Sequence, residues 1–312
     1  MRSTNPQTQS RGRRKKLNPE RLKLTLLALP FLLFTIAFSY VPLFGWGLAF
    51  TNYRPGLRFD KLEFVGLKYF LLIGTYWERI LNALRNTLVL ALISLALFGL
   101  PILFAILLNE IRRPFAKKFI QTVVTLPNFV SWVIVYAICF GLFSSNGLLN
   151  MVLGELGLIT QPTQLMANKN IAWTFMTVLG LWKGLGWSSI IYLAAIAGID
   201  GTLYEAAYVD GANRFHCMWY ITVPELMPTA LVLFLLQIGN ILSVGFEQYL
   251  LFANSLTASK LTVIDLLTYN IGLMSQDYSF ATAISILRSI VSILLMSIAN
   301  GMAKRIRGES LI

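Results

Sequence analysis

Six long apolar stretches recur along the chain, separated by polar segments. They lie at 24–50, 83–108, 119–143, 171–198, 229–251 and 280–303. A helix needs about 20 residues to cross a hydrocarbon core that is ~30 Å thick, and each stretch is at least that long. The pattern therefore predicts an all-α integral membrane protein whose six transmembrane helices form a single domain from 24 to 303.

Composition agrees with this interpretation and excludes an ordinary soluble domain. The chain is 56% hydrophobic and 13% charged, which is too apolar for a solvated globule. Of its two cysteines, Cys139 falls in the third stretch and Cys217 in a later loop. We therefore expect no disulfide framework.

Lysine and arginine residues concentrate on one set of segments. Eight lie in the arm 1–23, four in 109–118, one in 200–228 and three in the tail 304–312, together sixteen of 26. Because positive residues flank spans on the cytoplasmic side, this distribution predicts cytosolic termini and a cytosolic 200–228 loop. The basic arm is interpreted as a topology signal that contacts anionic membrane lipids, and not as a nucleic-acid-binding tail.

The loop between the fourth and fifth stretches carries a spaced motif. Three residues separate Glu205-Ala206-Ala207 from Gly211, nine separate Gly211 from Ile221, and Pro224 follows after two more. The loop predicts two short helices, from Leu203 to Asp210 and from Asn213 to Tyr220, joined at Gly211 where backbone freedom is needed. Pro224 is expected to end the second helix and to open the next span.

This loop is unusually aromatic for a cytosolic segment. Its five aromatic residues are Tyr204, Tyr208, Phe215, Trp219 and Tyr220. Apolar side chains at a solvated surface indicate a contact with another protein. We therefore predict that the loop is a docking element.

The motif resembles the EAA loop of binding-protein-dependent ABC importers, with Val223 in place of the leucine of that pattern. The runs Leu107 to Glu110, Leu126 to Trp132, Trp182 to Gly184 and Gly245 to Gln248 are similar to those of carbohydrate-uptake permeases. Within that branch, the likeness is to permeases for polysaccharides such as alginate. It covers roughly 20–305 and is most specific at the loop.

This resemblance implies a fold, a location and further subunits. It implies a type I importer permease fold in a bacterial inner membrane, a second homologous permease, two ATPase subunits and a solute-binding protein. The residues assigned to ATPase coupling are Glu205, Ala206, Ala207, Asp210, Gly211, Phe215, Ile221 and Pro224.

The sequence contains no G-x-x-x-x-G-K-[ST] phosphate loop, so ATP and Mg are expected on a partner ATPase and no cofactor on this chain. Its single histidine, His216, lies in the docking loop without neighbouring ligands, so no metal site is expected. No G-x-S-x-G or H-E-x-x-H motif is present either. The chain is therefore predicted to be non-catalytic.

Ionisable and polar residues inside the spans indicate a substrate pathway, because they are costly in lipid. Lys183, Glu247 and Arg288 are the ionisable candidates, and Asn240 shares a predicted helix face with Glu247. Aromatic faces bind sugar rings. The aromatic candidates are Trp132, Tyr136, Trp187 and Tyr192.

Structural alternatives exist for these residues. Glu247 and Arg288 could pair with each other, and the tryptophans could be interfacial or packing residues. If the cargo is alginate, Lys183 and Arg288 would attract its carboxylates, whereas a neutral oligosaccharide would not need them. Two other classes are also open: a secondary transporter driven by an ion gradient, and a membrane enzyme acting on lipid-linked sugars.

Overall fold

The computed structural model describes residues 19–307, and its regular structure there is helical apart from an isolated bridge between Thr51 and Phe64. The predicted arm 1–23 and tail 304–312 fall largely outside this range. The helices are α1 (Pro19–Thr35), α2 (Lys68–Thr75), α3 (Trp77–Ala96), α4 (Gly99–Asn109), α5 (Pro114–Thr125), α6 (Trp132–Phe143), α7 (Leu148–Glu155), α8 (Ala172–Ala197), α9 (Gly201–Val209), α10 (Arg214–Cys217), α11 (Val223–Gly239), α12 (Glu247–Phe252), α13 (Ala258–Leu261), α14 (Ile264–Tyr269) and α15 (Tyr278–Arg307).

The described chain divides between Leu48 and Ala49 into two compact units. The first contains α1, a π-helical turn at Ile36–Tyr40 and most of the 3₁₀ segment Val41–Phe50. The second contains all the later helices. The predicted single domain over 24–303 remains a prediction.

Six helical segments in the described chain are long and apolar enough to cross a membrane, as predicted. They are Lys23–Phe50, Trp77–Asn109, Trp132–Glu155, Ala172–Ala197, Arg214–Gly239 and Tyr278–Ile298. Four of the predicted spans agree with these bounds. At most of their ends, the predicted and observed positions differ by only a few residues. The third and fifth are placed differently, and both differences have a backbone cause.

The third span was predicted as one stretch over 119–143. Instead, α5 ends at Thr125, a 3₁₀ turn occupies Leu126–Phe129, and α6 begins at Trp132. Pro127 lacks an N–H, so a regular helix cannot continue through it without losing a hydrogen bond. The apolar helical stretch then extends to Glu155, with an interruption at 144–147.

The fifth span was predicted at 229–251 but runs over Arg214–Gly239. Its helix ends with Asn240 at the C-cap, and Gly245 has a φ of 95° that no helix accepts. The predicted polar face through Gln237, Asn240, Val244 and Glu247 is therefore wrong, because only Gln237 lies within the helix and the other three residues follow its last residue, Gly239.

The second span is interrupted just before a proline. Helix α3 ends at Ala96 and α4 begins at Gly99, with Pro101 in the first turn of α4. Pro101 cannot donate to the carbonyl one turn earlier, so the helix breaks just before it. The interruption therefore has a local backbone cause.

Helices α5 and α8 approach each other closely enough to exclude a side chain. A Cβ added at Gly186 of α8 would lie 2.6 Å from the backbone nitrogen of Thr125 and closer still to the carbonyl of Val124. Interhelical contacts in membranes favour small residues for this reason. Gly186 therefore allows α5 to pack directly against the fourth span.

We predict that Gly186→Ala destabilises the protein by about 1–3 kcal/mol, because the new methyl group must push α5 away. Thermal unfolding of the purified protein in detergent measures this. Gly154→Ala is the matched control, since a Cβ there meets nothing within 4 Å. Equal stability of the two variants would contradict the packing argument.

Candidate functional site

The docking loop consists of two helices joined at a glycine, as predicted. Asp200 caps α9 by accepting from Thr202 N at 3.0 Å, and this hydrogen bond lowers the pKa of its carboxyl. Asn213 caps the second helix by accepting from His216 N at 2.9 Å. Between them, Gly211 has a φ of 81°, which a side chain would strain.

The second helix does not stop at Pro224, which corrects the prediction. It passes from α10 through a π-helical turn at Met218–Thr222 directly into α11. The wider turn already breaks the regular hydrogen-bond pattern, so Pro224, at the start of α11, removes little. The second helix of the loop and the fifth span are consequently one continuous helical rod.

Most of the aromatic side chains in this loop face outward. Tyr208 is 55% exposed, Phe215 71%, Trp219 68% and Tyr220 76%. Tyr204 is half-buried instead, and its hydroxyl lies 2.9 Å from the hydroxyl of Thr222, so it links the two helices. The loop is thus internally braced and presents an apolar outer surface.

The predicted coupling residues of the docking loop include both exposed and half-buried side chains. Those that are exposed are Glu205, Ala206, Asp210, Gly211, Phe215 and Pro224, whereas Ala207 and Ile221 are half-buried. Arg214 at the start of α10 forms a 3.8 Å ion pair with Glu110, at the end of α4. The loop is therefore also connected to the second span.

A cavity of about 590 Å³ lies between the second, fourth and fifth spans. Its polar lining consists of Ser94, Thr177, Ser188, Gln237, Asn240, Ser243, Gln248 and the hydroxyls of two tyrosines, Tyr192 and Tyr249. Gln237 Nε2 donates to Ser94 Oγ at 3.1 Å across it. The hydroxyls and amides can hydrogen-bond to a sugar, and the aromatic rings beside them can stack against it.

Three of the eight predicted pathway residues line this cavity: Trp187, Tyr192 and Asn240. Trp187 is 51% exposed and packs edge-on against Phe129, with ring centroids 5.8 Å apart. Tyr192 is 2% exposed. Asn240 donates to the Leu236 carbonyl at 2.9 Å and is exposed.

Lys183 of α8 lies beside the break between α5 and α6, and it does not line the cavity. Its ammonium donates to the carbonyls of Pro127 at 3.1 Å, Asn128 at 2.8 Å and Val130 at 2.5 Å. It also lies 5.6 Å from the centre of the Trp132 ring. The Pro127 carbonyl also accepts from Val130 N at 3.2 Å. Lys183 adds a charged donor to all three carbonyls and so ties α8 to the break between α5 and α6.

Arg288 and Glu247 do not pair with each other, contrary to the structural alternative. Arg288 forms an ion pair with Asp265 of α14 and donates to Ser243 Oγ, which lines the cavity. Glu247 is the exposed first residue of α12 and is not part of the cavity lining. Asp265 was missed because it lies outside the predicted spans.

Trp132 and Tyr136 belong to an aromatic cluster around Phe252. Their ring centroids lie 6.5 Å and 5.1 Å from that of Phe252, both edge-on. Sequence reasoning placed them with Trp187 and Tyr192, but the structure packs them against α12. The polar residues it missed in the cavity, such as Ser94 and Thr177, carry no distinctive signal in an apolar helix.

The comparisons with known proteins agree with this architecture. Residues 98–308 match the family described as binding-protein-dependent transport system inner membrane component. The chain is 39% identical to the protein LplB of Bacillus subtilis, covering 92% of this chain and 90% of that protein. It is 38% identical to the polygalacturonan/rhamnogalacturonan transport system permease protein YteP of the same organism, with 92% and 89% covered.

Two solved structures are similar over nearly the whole chain. One is a bacterial ABC transporter involved in the import of the acidic polysaccharide alginate, with a TM-score of 0.81, 34% identity and coverage of 93% and 97%. The other is a bacterial alginate ABC transporter in complex with a periplasmic protein that holds an alginate pentasaccharide, with a TM-score of 0.82, 33% identity and coverage of 94% and 98%.

We predict that Lys183→Met lowers the thermal stability of the purified chain, because the Asn128 and Val130 carbonyls lose their charged donor, at about 1–3 kcal/mol for each buried group left unpaired. Lys183→Arg should keep much of that stability. Thermal unfolding in detergent, with Lys169→Met as the control for an exposed lysine, measures both. A Met variant of normal stability that fails only in transport would instead assign Lys183 to the substrate.

Proposed function

We propose that this chain, which belongs to the family of binding-protein-dependent transport system inner membrane components, carries an acidic oligosaccharide inward across the membrane. It is a multi-pass permease subunit of a carbohydrate ABC importer, with the type I importer permease fold. The observation that carries the import of a sugar is the polar, aromatic-lined cavity between the second, fourth and fifth spans, and the acidic character of that sugar rests on the relatives.

The acidic cargo is supported by the relatives. YteP is described as a permease for polygalacturonan and rhamnogalacturonan, and the similar structures concern alginate import. All of these polymers contain uronic acids, whose rings carry carboxylates. Our specific proposal is a uronic-acid oligosaccharide such as an alginate fragment.

A neutral oligosaccharide is the second candidate, because the lining of the cavity is uncharged. The residues lining the cavity include no Lys, Arg, Asp or Glu. The two cations assigned to carboxylate recognition from the sequence, Lys183 and Arg288, are held by backbone carbonyls and by Asp265. Within the cavity, an acidic and a neutral sugar would be held by the same hydroxyls and amides.

Movement of this cavity would be coupled to ATP through the docking loop. Because α10 continues into α11, a displacement of the loop would be transmitted along the fifth span to the cavity wall. The ion pair between Arg214 and Glu110 would carry the same displacement to the second span. The mechanism is alternating access by rigid-body movement of helices.

The partners follow from this mechanism. We infer that a second permease supplies the other half of the pathway, two ATPase subunits bind ATP and Mg, and a solute-binding protein delivers the cargo from outside. This chain would catalyse no reaction, carry no cofactor and contact no nucleic acid. Its docking loop and both termini would face the cytosol of a bacterium, with lipids of the inner membrane around its spans.

The cargo is tested by purifying the tagged chain with its partners and measuring ATP hydrolysis in liposomes. We expect co-purification of an ATPase and a second permease, with hydrolysis stimulated several-fold by an oligouronate delivered on its binding protein. Stimulation by a neutral oligosaccharide alone would favour the second candidate. Uptake by the lone chain without ATP would support the ion-driven alternative.

The coupling role is tested at the bend of the docking loop. Gly211→Val should reduce ATPase association and transport at least tenfold, because a β-branched residue cannot adopt a φ of 81° without strain. Gly201→Val is the matched control, since Gly201 lies in open space at the start of α9. Both variants should insert normally. Full coupling by Gly211→Val would count against this loop as the docking element.

A further inference from the structure

Two cations share one aromatic ring at the end of α8 that is remote from the docking loop. Lys260 Nζ lies 3.8 Å from the centre of the Trp173 ring, and Arg85 Cζ lies 5.8 Å from it. The side chain of Arg85 is exposed, and those of Trp173 and Lys260 are half-buried. The group is therefore open to solvent and to a solute.

Neither cation has an acidic partner within the part of the chain that the structure describes. The three ion pairs found there join Arg58 to Asp60, Arg214 to Glu110 and Arg288 to Asp265. A ring face stabilises each cation, but two like charges around one ring repel each other. An anion bound beside the cations would offset that repulsion.

The segment that carries Lys260 is fixed in place by hydrogen bonds to its backbone. Trp173 Nε1 donates to the Lys260 carbonyl at 2.8 Å. Asn86, which is 1% exposed, donates to the carbonyls of Ser259 at 3.1 Å and Thr262 at 3.0 Å, and Asn82 donates to that of Ser259 at 3.0 Å. The backbone that carries Lys260 is thus held against the Trp173 ring before any ligand arrives, which lowers the entropy cost of binding.

The group lies at the edge of the cavity. Trp173 is one helical turn, about 5.4 Å, from Thr177, which lines the cavity, and Thr177 Oγ1 donates to the Trp173 carbonyl at 2.8 Å. The turn leads away from the docking loop and so toward the outer side in the proposed orientation. A sugar chain that enters from outside would meet this group before the uncharged cavity.

We propose that Arg85, Lys260 and Trp173 form an entry subsite that binds the carboxylate of a uronic-acid unit. Arg85 supplies a planar guanidinium that can hold both carboxylate oxygens, Lys260 supplies a second charge, and the Trp173 ring holds the two cations near each other. The subsite rests on the proposed import of an acidic oligosaccharide, and it gives this chain charge recognition that its cavity lacks.

The test uses the whole importer in liposomes of zwitterionic lipid, with uptake measured for an oligouronate and for its methyl-esterified, uncharged counterpart. In the Arg85→Gln/Lys260→Gln double variant, we expect the KM for the oligouronate to rise about tenfold, as for the loss of one charged contact. The kcat for both sugars and the KM for the ester should stay unchanged. Lys169→Gln, which removes an exposed lysine just before α8, is the control.

Further variants and conditions separate charge recognition from a structural role. Arg85→Lys should retain much of the affinity, and added salt should raise the oligouronate KM of the wild type more than that of the double variant. Equal loss for both sugars, or no loss for either, would overturn the subsite. So would a defect that appears only in liposomes with anionic lipid and affects both sugars, since it would assign the cations to a lipid phosphate.

The wild type separates this inference from the proposed function. If the wild type imports the ester but never the oligouronate, both the proposed acidic cargo and the proposed subsite are wrong. If the wild type imports the oligouronate and the double variant does so equally well, the subsite alone is wrong.

Discussion

The hydrogen bonds between the Lys183 ammonium and three backbone carbonyls are the interaction on which the centre of this permease depends. A helix that breaks inside a membrane leaves carbonyls that need other donors, and Lys183 donates to those of Pro127, Asn128 and Val130. One turn further along α8, Gly186 lets α5 approach until backbones meet. Helix α8 also forms a wall of the cavity and leads into the docking loop. The break between α5 and α6, the cavity and the loop therefore all contact or continue from this one helix.

Apolar periodicity predicted the number of spans because it measures what the bilayer demands, a length of apolar helix. It placed the third and fifth spans wrongly because it does not count backbone hydrogen bonds. Pro127 ends α5 early, and the helix that begins at Arg214 continues past Pro224 because a π-helical turn absorbs the missing donor. The docking loop was predictable, since a glycine at a required positive φ and two capping side chains are local signals.

The pathway residues were harder to predict, because a charge in a span looks the same in sequence whatever it contacts. Lys183 and Arg288 were candidates for cargo binding. Lys183 instead donates to backbone carbonyls, and Arg288 forms an ion pair with Asp265. Arg85 and Lys260 drew no attention, since they lie far apart in sequence and only the fold brings both to Trp173. Trp187, Tyr192 and Asn240 do line the cavity, although the helix face that suggested Asn240 does not exist.

A charged entry and an uncharged cavity suit transport better than a charged cavity would. A pathway must bind its cargo well enough for it to enter and weakly enough for it to leave. A carboxylate paired with a cation inside the membrane would be held tightly, because electrostatic attraction grows as water is excluded. At the mouth, water and salt weaken the same attraction, so Arg85 and Lys260 would favour entry of an acidic chain without trapping it. The hydroxyls and amides farther in, such as Gln237 and Ser94, could then pass sugar units along by exchanging hydrogen bonds of similar strength.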